Sequence, residues 1–269
     1  MSADPQISVS EPTETGHADL GDHGLEFIRF APAVAGAPSV VMLHEGLGSV
    51  AMWRDFPARV AAATGAEVIA YSRRGYGASS PRPASYGVDY MHAEARETLP
   101  RLFEFWGLDA PVLLGHSDGA SVALIHAALP DTRARAVAVM APHIMVEPIS
   151  IQSIEFAREQ FHATDLKQKL GRYHEDPEHA FMGWNDIWLD PAFRDWDIRP
   201  LLPEIRCPVL AIQGEDDAYG TMAQIDGIAA AAAGPVRLLK LAGCGHSPQR
   251  DKPEETLAAI RAFLEENCT

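Results

Sequence analysis

A serine near the middle of the chain lies in a context that could make it a nucleophile. Residues 115–119 read Gly-His-Ser-Asp-Gly, with Ser117 at the centre, between the apolar run 111–114 and a helical run that begins at Ala120. A G-x-S-x-G motif at a sharp strand-to-helix turn exposes the serine hydroxyl, because the glycines leave room where a Cβ would collide. The turn also places the N–H of Asp118 at a helix N-terminus, where negative charge is favoured. The motif therefore predicts a nucleophile elbow with Ser117 as its nucleophile.

A serine hydroxyl needs a base to take its proton, and that base is usually an imidazole oriented by a carboxylate. His246 lies in Gly-Cys-Gly-His-Ser-Pro, residues 243–248, which follows the apolar run 236–241. The flanking glycines allow this loop to carry the imidazole over the serine, so we predict His246 as the base. His116, inside the elbow, is predicted as a supporting residue, and the other histidines are expected mostly at the surface.

Three acidic residues follow the apolar run 208–213, namely Glu215, Asp216 and Asp217. A carboxylate there would lie at the carboxyl end of a strand, on the edge of the sheet where the elbow also lies. We predict Asp217 as the acid that orients His246. Asp216 and Glu215 are the alternatives, and the ordinary role of all three would be in a turn or a helix cap.

An oxyanion that forms during acyl transfer needs two hydrogen-bond donors. The N–H of Asp118 is predicted as one of them. The second is expected in the loop 44–49, which follows the apolar run 40–43. We predict the N–H of Gly46, with that of Glu45 as the alternative. The glycines of this loop could also serve only to shape a tight turn.

Short apolar runs alternate with helical patterns along the chain. Strands are predicted at 25–30, 40–43, 68–71, 111–114, 136–140, 208–212 and 236–241. Strands that alternate with helices predict an α/β fold with a mostly parallel, doubly wound sheet. A helix is predicted over 89–106, kinked or divided by Pro100. Residues 1–16 are polar and rich in Pro, Thr and Glu, and are predicted to form a flexible N-terminal arm.

The segment 144–206 contains helical patterns, no convincing strand and many aromatic residues. Asp176 and Pro177 have the pattern of an N-cap followed by proline at the first helical position. Phe181, Trp184 and Trp188 then lie on one face of the helix. Ordinary packing of a small helical insertion would account for them. The alternative, which we predict, is a lid whose aromatic face contributes these three residues to substrate binding.

The composition excludes several classes of partner. The chain has 269 residues with 37 acidic and 22 basic side chains, a net charge of −15 that argues against nucleic acid or an anionic membrane. Cys207, Cys244 and Cys268 have neither disulfide nor zinc spacing, which favours a reducing compartment. Neither a signal peptide nor an apolar run of ~20 residues is evident. We expect a cytoplasmic protein with a small-molecule substrate, no metal or organic cofactor and no membrane or nucleic-acid partner; a homodimer is left open.

Taken together, these motifs resemble the α/β-hydrolase superfamily over residues ~20 to 269. The resemblance rests on the loop 44–49, on Arg-Gly-Tyr-Gly-Ala-Ser at 74–79, on the elbow, and on the family order Ser117, Asp217, His246. The chain is most similar to short, single-lid members, which include carboxylesterases, lactonases and carbon–carbon bond hydrolases. The resemblance implies a core of 17–143 and 207–269, with a helical lid, 144–206, inserted after the sixth strand.

Two residues depart from the family pattern. Glu45 stands where the family has glycine after its histidine, and Asp118 stands where a bulky apolar residue is common. A carboxylate that points inward beside the oxyanion would disfavour anionic substrates, so Glu45 is predicted to contact the substrate. Ser117 excludes the members of the family that need an aspartate nucleophile.

We therefore predict a serine hydrolase that cleaves carboxylic esters of small to medium apolar or aromatic groups through an acyl-enzyme. Carbon–carbon bond hydrolysis of ring-cleavage dienoates is an alternative that uses the same triad but needs a cationic pocket. Lactone hydrolysis is a third option. A remote alternative from another class is a ligand-binding module that keeps the pocket and has lost turnover.

Overall fold

The computed structural model describes residues 10–82 and 86–268. Within them, eight strands form one sheet in the order β1-β2-β4-β3-β5-β6-β7-β8. The strands are β1 (Glu14–Asp19), β2 (Gly24–Phe30), β3 (Ser39–Leu43), β4 (Glu67–Tyr71), β5 (Val112–His116), β6 (Ala136–Met140), β7 (Val209–Gly214) and β8 (Val236–Leu241). Strands β3 to β8 are parallel, and β1 and β2 join one side in antiparallel pairing. The predicted mostly parallel α/β sheet is confirmed.

Helices cover both faces of the sheet. They are α1 (Phe56–Thr64), α2 (Tyr90–Ala93), α3 (Leu99–Trp106), α4 (Asp118–Ala127), α5 (Pro148–Ala163), α6 (Leu166–Leu170), α7 (Pro177–Leu189), α8 (Ala223–Ala231), α9 (Pro248–Asp251) and α10 (Pro253–Asn267). The helix predicted over 89–106 is divided into α2, a π-helical turn at Glu94–Thr98, and α3. Pro100 lies in the first turn of α3, directly after this π-helical turn.

Alternate residues of the central strands enter two separate cores, because successive side chains of a strand point to opposite faces. Val41 and Leu43 of β3 pack with α3, α4 and α8, whereas Val40 and Met42 pack with α1 and α10. Both faces of β3 are therefore buried. This burial explains why the parallel strands read as continuous apolar runs rather than as alternating ones.

The N-terminal prediction is partly wrong. Residues 1–9 of the predicted arm 1–16 lie outside the described residues. However, the arm does not extend to residue 16, because β1 begins at Glu14 and pairs with β2. Strand β1 is an edge strand in which only Ala18 is buried. It therefore lacks the apolar pattern by which the other strands were recognised.

The segment 144–206, called the helical insertion from here on, lies between β6 and β7 and contains α5, α6 and α7. The predicted cap of α7 is present, since Asp176 accepts a hydrogen bond from the N–H of His179 at 2.9 Å. The insertion is tied to the sheet domain through His174. Its Nε2–H donates to the Leu47 carbonyl oxygen at 2.9 Å, and its Nδ1 accepts from the Gly77 N–H at 3.0 Å.

Candidate active site

Ser117 lies at the sharp turn between β5 and α4. Its backbone has φ 52° and ψ −119°, an unfavourable conformation for a residue with a side chain. A Cβ on Gly115 would overlap the backbone of Gly119 and Ala120, and one on Gly119 would overlap the backbone of Leu43. Both glycines are therefore required: Gly115 lets β5 approach α4, and Gly119 lets α4 approach β3. The turn is held by the Ser117 N–H, which donates to the Met140 carbonyl oxygen at 2.9 Å.

Three side chains predicted from separate motifs form one hydrogen-bonded chain. The Oγ of Ser117 lies 2.9 Å from Nε2 of His246. The Nδ1 of His246 lies 2.9 Å from both carboxylate oxygens of Asp217. A proton on Nδ1 is donated to this carboxylate, so Nε2 is free to accept the serine proton. This is the tautomer that a general base next to serine needs.

The Asp217 carboxylate is buried and held by further donors. The side-chain amide of Gln213 donates at 2.7 Å and the Tyr219 N–H donates at 2.8 Å. Burial by itself would raise the pKa of Asp217. The hydrogen bond and charge of His246 and the Tyr219 N–H outweigh burial, so the pKa lies below its ordinary value. The alternatives Asp216 and Glu215 are exposed, and His246 is in contact with Asp217.

The two predicted oxyanion donors lie on the same cavity as Ser117. Gly46 and Asp118 both line this cavity, as does Glu45. Asp118 is the first residue of α4, where a backbone N–H has no partner within the helix. Gly46 lies against the indole of Trp184, so closely that a Cβ on Gly46 would overlap the ring. The arrangement can offer two backbone N–H groups to an oxygen near Ser117.

The half-buried Glu45 pairs with the supporting histidine, which is fully buried. Its Oε2 lies 3.3 Å from Nδ1 of His116, whose Nε2–H donates to the His246 carbonyl oxygen at 2.7 Å. Burial would raise the pKa of Glu45, but the hydrogen bond and charge of His116 outweigh it and lower the pKa to about 2. Burial would lower the pKa of His116, but Glu45 outweighs it and the pKa is raised. The two groups are therefore paired by a hydrogen bond beside the proposed base, and this pairing shifts both pKa values.

The carboxylate of Asp118 lies near the buried guanidinium of Arg73. Tyr90 donates its hydroxyl to Oδ2 at 2.5 Å, and Nη2 of Arg73 lies 3.8 Å from the same oxygen. Both ion-pairing side chains are at most 2% exposed. Burial raises the pKa of Asp118, while Arg73 and Tyr90 act in the opposite direction. The two acidic residues that line the cavity thus each lie next to a basic side chain, His116 for Glu45 and Arg73 for Asp118.

The cavity above Ser117 has a volume of about 220 Å³. Its apolar wall is formed by Leu47, Ile154, Trp184, Trp188 and Tyr219. Two of the three predicted aromatic residues of α7 therefore line it. Phe181, the third, is not among the lining residues; it is fully buried and stacks on Phe161 with ring centroids 4.0 Å apart. Its prediction as a substrate contact is corrected, because this position on α7 faces α5 inside the helical insertion.

One residue that lines the cavity, His143, was missed because the remaining histidines were expected mostly at the surface. In fact His44, His126, His143 and His174 are buried. The ring of His143 lies 5.8 Å from that of His246 and 4.9 Å from that of Trp188. Burial, followed by the charge of His246, lowers the pKa of His143 to about 3. His143 comes soon after β6, so the strand-end rule that found Asp217 could have found it too.

No group of three or more His, Cys, Asp or Glu side chains is arranged to hold a metal ion in the part of the chain that the structure describes. No helix among those same residues has the length and apolar character that a membrane crossing requires.

Comparison with known proteins gives the family. A sequence profile described as the alpha/beta hydrolase family matches residues 40–260. The chain belongs to this family. A curated human relative, the serine hydrolase BPHL, is 26% identical over 162 residues, which are 56% of this chain and 53% of that protein. The match thus spans about half the length of this relative.

Solved structures of other family members share the fold. A proline iminopeptidase from Mycobacterium smegmatis superposes with a TM-score of 0.74 at 20% identity, over 94% of this chain and 98% of that one. An enol-lactonase from Burkholderia xenovorans superposes with a TM-score of 0.72 at 19% identity, over 93% and 100%. At these identities the likeness concerns the fold alone. The predicted α/β-hydrolase fold is confirmed.

Proposed function

We propose that this hydrolase cleaves carboxylic esters through an acyl-enzyme on Ser117. The observation that carries the proposal is the continuous hydrogen-bonded chain from Ser117 through His246 to Asp217 at a strained turn. A serine without a catalytic role does not require hydrogen bonds to a histidine that is itself bound to an aspartate. The human relative BPHL is named as a serine hydrolase, which supports the same class of chemistry.

In the acylation step, Nε2 of His246 takes the proton of Ser117 while Oγ forms a bond to the ester carbonyl carbon. The carbonyl oxygen becomes an oxyanion that accepts hydrogen bonds from the N–H groups of Gly46 and Asp118. When the tetrahedral intermediate collapses, the bond to the alkoxy oxygen breaks and His246 gives that oxygen its proton. Asp217 stabilises the imidazolium that exists between the two proton transfers.

In the deacylation step, water replaces the alcohol. His246 takes a proton from the water as its oxygen attacks the acyl carbon, and a second oxyanion forms in the same position. Breakdown of this intermediate returns the proton to Oγ of Ser117 and releases the carboxylic acid. The step needs no group beyond those that acylation uses.

The cavity supports small to medium, uncharged and apolar or aromatic acyl groups. A dry cavity of about 150 Å³ is enough for benzene in a known case, so about 220 Å³ suits one aromatic ring or a short chain with its ester group. The lining includes the acids Glu45 and Asp118. Among the described residues, no lysine or arginine lines it. A dienoate carboxylate would meet no cation there, which disfavours carbon–carbon bond hydrolysis.

We also propose that the helical insertion, 144–206, is a lid domain on a core of 17–143 and 207–269. Trp184 and Trp188 of the helical insertion line the cavity above Ser117, which supports this division. We place the protein in the cytoplasm, because its cysteines, Cys207, Cys244 and Cys268, are free thiols of the kind a reducing compartment maintains. Its proposed partner is the small-molecule substrate.

The direct test is hydrolysis of p-nitrophenyl esters from acetate to laurate by the wild type and by Ser117→Ala. Ser153→Ala serves as the matched control, because Ser153 lies on α5 and its hydroxyl donates to the Ala218 carbonyl oxygen rather than to a side chain of the proposed triad. We expect turnover by the wild type and the control, a preference for short or aromatic acyl groups, and none by Ser117→Ala.

Other outcomes would redirect the proposal. Turnover of dienoates or lactones without turnover of any ester would favour the other hydrolytic reactions of this triad. Binding of esters by the folded protein without turnover would favour the ligand-binding module.

A further inference from the structure

Arg73 is a buried cation that lies next to the proposed active site without lining its cavity. It follows β4, and its side chain is 2% exposed. It is absent from the described residues that line the cavity. A guanidinium in this position costs free energy unless nearby groups compensate for the lost water. Nη2 of Arg73 contacts the two segments that carry the proposed oxyanion donors, whereas its Nε and Nη1 find no hydrogen-bond partner among the described residues.

The first segment is the loop after β3. The Nη2–H of Arg73 donates to the Glu45 carbonyl oxygen at 2.8 Å. The same oxygen accepts a second hydrogen bond, at 2.6 Å, from Nδ1–H of His44. The tautomer of His44 is set by Arg73 as well, because the Arg73 backbone N–H donates to Nε2 of His44 at 2.9 Å. Arg73 therefore acts on the Glu45 carbonyl both directly and through His44.

The Glu45 carbonyl and the Gly46 N–H belong to one peptide group. A trans peptide group is planar, and its C=O and N–H point in opposite directions. The Glu45 carbonyl accepts from Arg73, from His44 and from the Gly48 N–H, at 3.0 Å, and these donors fix the direction of the Gly46 N–H on the opposite side of the peptide group. A charged donor on the carbonyl also polarises the group and makes its N–H a stronger donor.

The second segment is the start of α4. Nη2 of Arg73 lies 3.8 Å from Oδ2 of Asp118, whose backbone N–H is the other oxyanion donor. The Tyr90 hydroxyl donates to the same carboxylate oxygen at 2.5 Å. The guanidinium also lies 5.3 Å from the ring centre of Tyr76, which restricts its position. One cation therefore contacts both segments that carry the oxyanion donors.

We propose that Arg73 is a positioning residue that holds the Gly46 and Asp118 N–H groups in the geometry of an oxyanion hole. The proposal rests on the proposed function, because an oxyanion hole matters only for acyl-type chemistry at Ser117. The effect of Arg73 is on the transition state, since the oxyanion exists there and not in the bound ester.

The test compares Arg73→Met with Arg74→Met. Arg74 is the neighbouring arginine. Its Nε–H donates to the Pro81 carbonyl oxygen and its Nη1 lies near Asp22, rather than at the loop 44–49. Two quantities are measured: kcat and KM on the best p-nitrophenyl ester, and the rate at which a fluorophosphonate probe labels Ser117. The phosphonyl oxygen of this probe occupies the oxyanion position.

For Arg73→Met we expect kcat to fall about 10- to 100-fold, somewhat less than when a donor is removed outright, and labelling to slow by a similar factor. KM should change by less than about threefold, because the ground state makes little use of the donors. Arg74→Met should stay within about twofold of the wild type in both measurements. A folded Arg73→Met with unchanged kcat and labelling would overturn the proposal, as would a loss confined to KM.

Arg73→Lys is the second variant, for use if Arg73→Met does not fold. It keeps the buried charge opposite Asp118 but loses the guanidinium fork, so it should still lower kcat and labelling. Wild-type rates in folded Arg73→Lys would overturn the proposal. If the wild type is labelled but cleaves no ester, the proposed function fails while the labelling rates still test Arg73. If the wild type shows neither labelling nor turnover, both fail.

Discussion

At the scale of single residues, the candidate site depends on side chains that each follow the end of a strand. Ser117, Asp217 and His246 could be selected from sequence because each lies in a short motif after an apolar run. The sequence alone decides less clearly which of the three adjacent acids, Glu215, Asp216 or Asp217, faces His246, because this depends on the conformation of the turn. Asp216 and Glu215 are exposed, and the Tyr219 N–H holds the Asp217 carboxylate against His246.

Asp217→Asn should leave the fold intact and lower kcat/KM about 10³- to 10⁴-fold. An asparagine amide cannot stabilise the imidazolium and favours the wrong tautomer of His246. Steady-state kinetics on a p-nitrophenyl ester checks this. Asp216→Asn is the matched control and should retain wild-type activity, because its carboxylate is exposed. If Asp216→Asn were inactive and Asp217→Asn active, the assignment of the acid would be wrong.

Arg73 could not be predicted as a site residue from the sequence. An arginine after a strand fits many roles, and no motif links a residue after β4 to one after β5. Its placement depends on the strand order, in which β3 lies between β4 and β5. Only the folded sheet brings Arg73 within reach of both Glu45 and Asp118.

At the scale of elements, the helical insertion contacts the loop 44–49, which carries a proposed oxyanion donor, through His174 and Trp184. His174 donates to the Leu47 carbonyl oxygen, and the indole of Trp184 lies against Gly46. The periodicity of α7 predicted that Trp184 and Trp188 share a face, but periodicity alone does not say what a face meets. Phe181 shares the pattern and packs on α5 instead. Helical spacing thus predicted which aromatic residues share a face of α7, but it did not predict which elements they contact.

Gly46→Ala should lower kcat/KM about tenfold, because the added methyl group would displace the Trp184 ring and disturb the loop that carries the donor. The backbone N–H itself is retained. In a Trp184→Ala background the space is free, and the same substitution should change kcat/KM by less than about threefold. Kinetics of the two single variants and the double variant measure this coupling. Equal effects of Gly46→Ala in both backgrounds would show that the contact is irrelevant.

At the scale of the whole molecule, the central parallel strands were predictable, because their apolar patterns reflect burial on both faces. Strand β1 was missed, because an edge strand with one buried residue has no such pattern. The buried histidines were also missed. Their burial depends on hydrogen bonds and packing that only the complete fold provides.

Buried neutral histidines make the stability of the whole chain sensitive to acid. The pKa of His143 is lowered from 6.5 to about 3, first by burial. Between these values the unfolded chain binds the extra proton and the folded chain does not, so the free energy of unfolding falls as the pH falls. One such group contributes at most about 1.4 kcal/mol per pH unit.

His143→Gln should therefore weaken the pH dependence of stability. Between pH 6.5 and 4.5 the wild type should lose roughly 2 kcal/mol more of its free energy of unfolding than the variant does, as measured by denaturant unfolding at each pH. His162→Gln, at an exposed histidine of α5, is the control and should follow the wild type. Parallel curves for the wild type and His143→Gln would contradict the prediction.

The central claim is that hydrolysis proceeds through an acyl group on Ser117. It is tested most directly by quenching the protein with acid during turnover of a p-nitrophenyl ester and mapping the acyl group by peptide mass spectrometry. We predict an added acyl mass on the peptide that contains Ser117, formed within a burst of p-nitrophenolate and absent from Ser117→Ala. Sustained turnover without any acylated Ser117, or an acyl group on the same peptide of Ser117→Ala, would contradict the account.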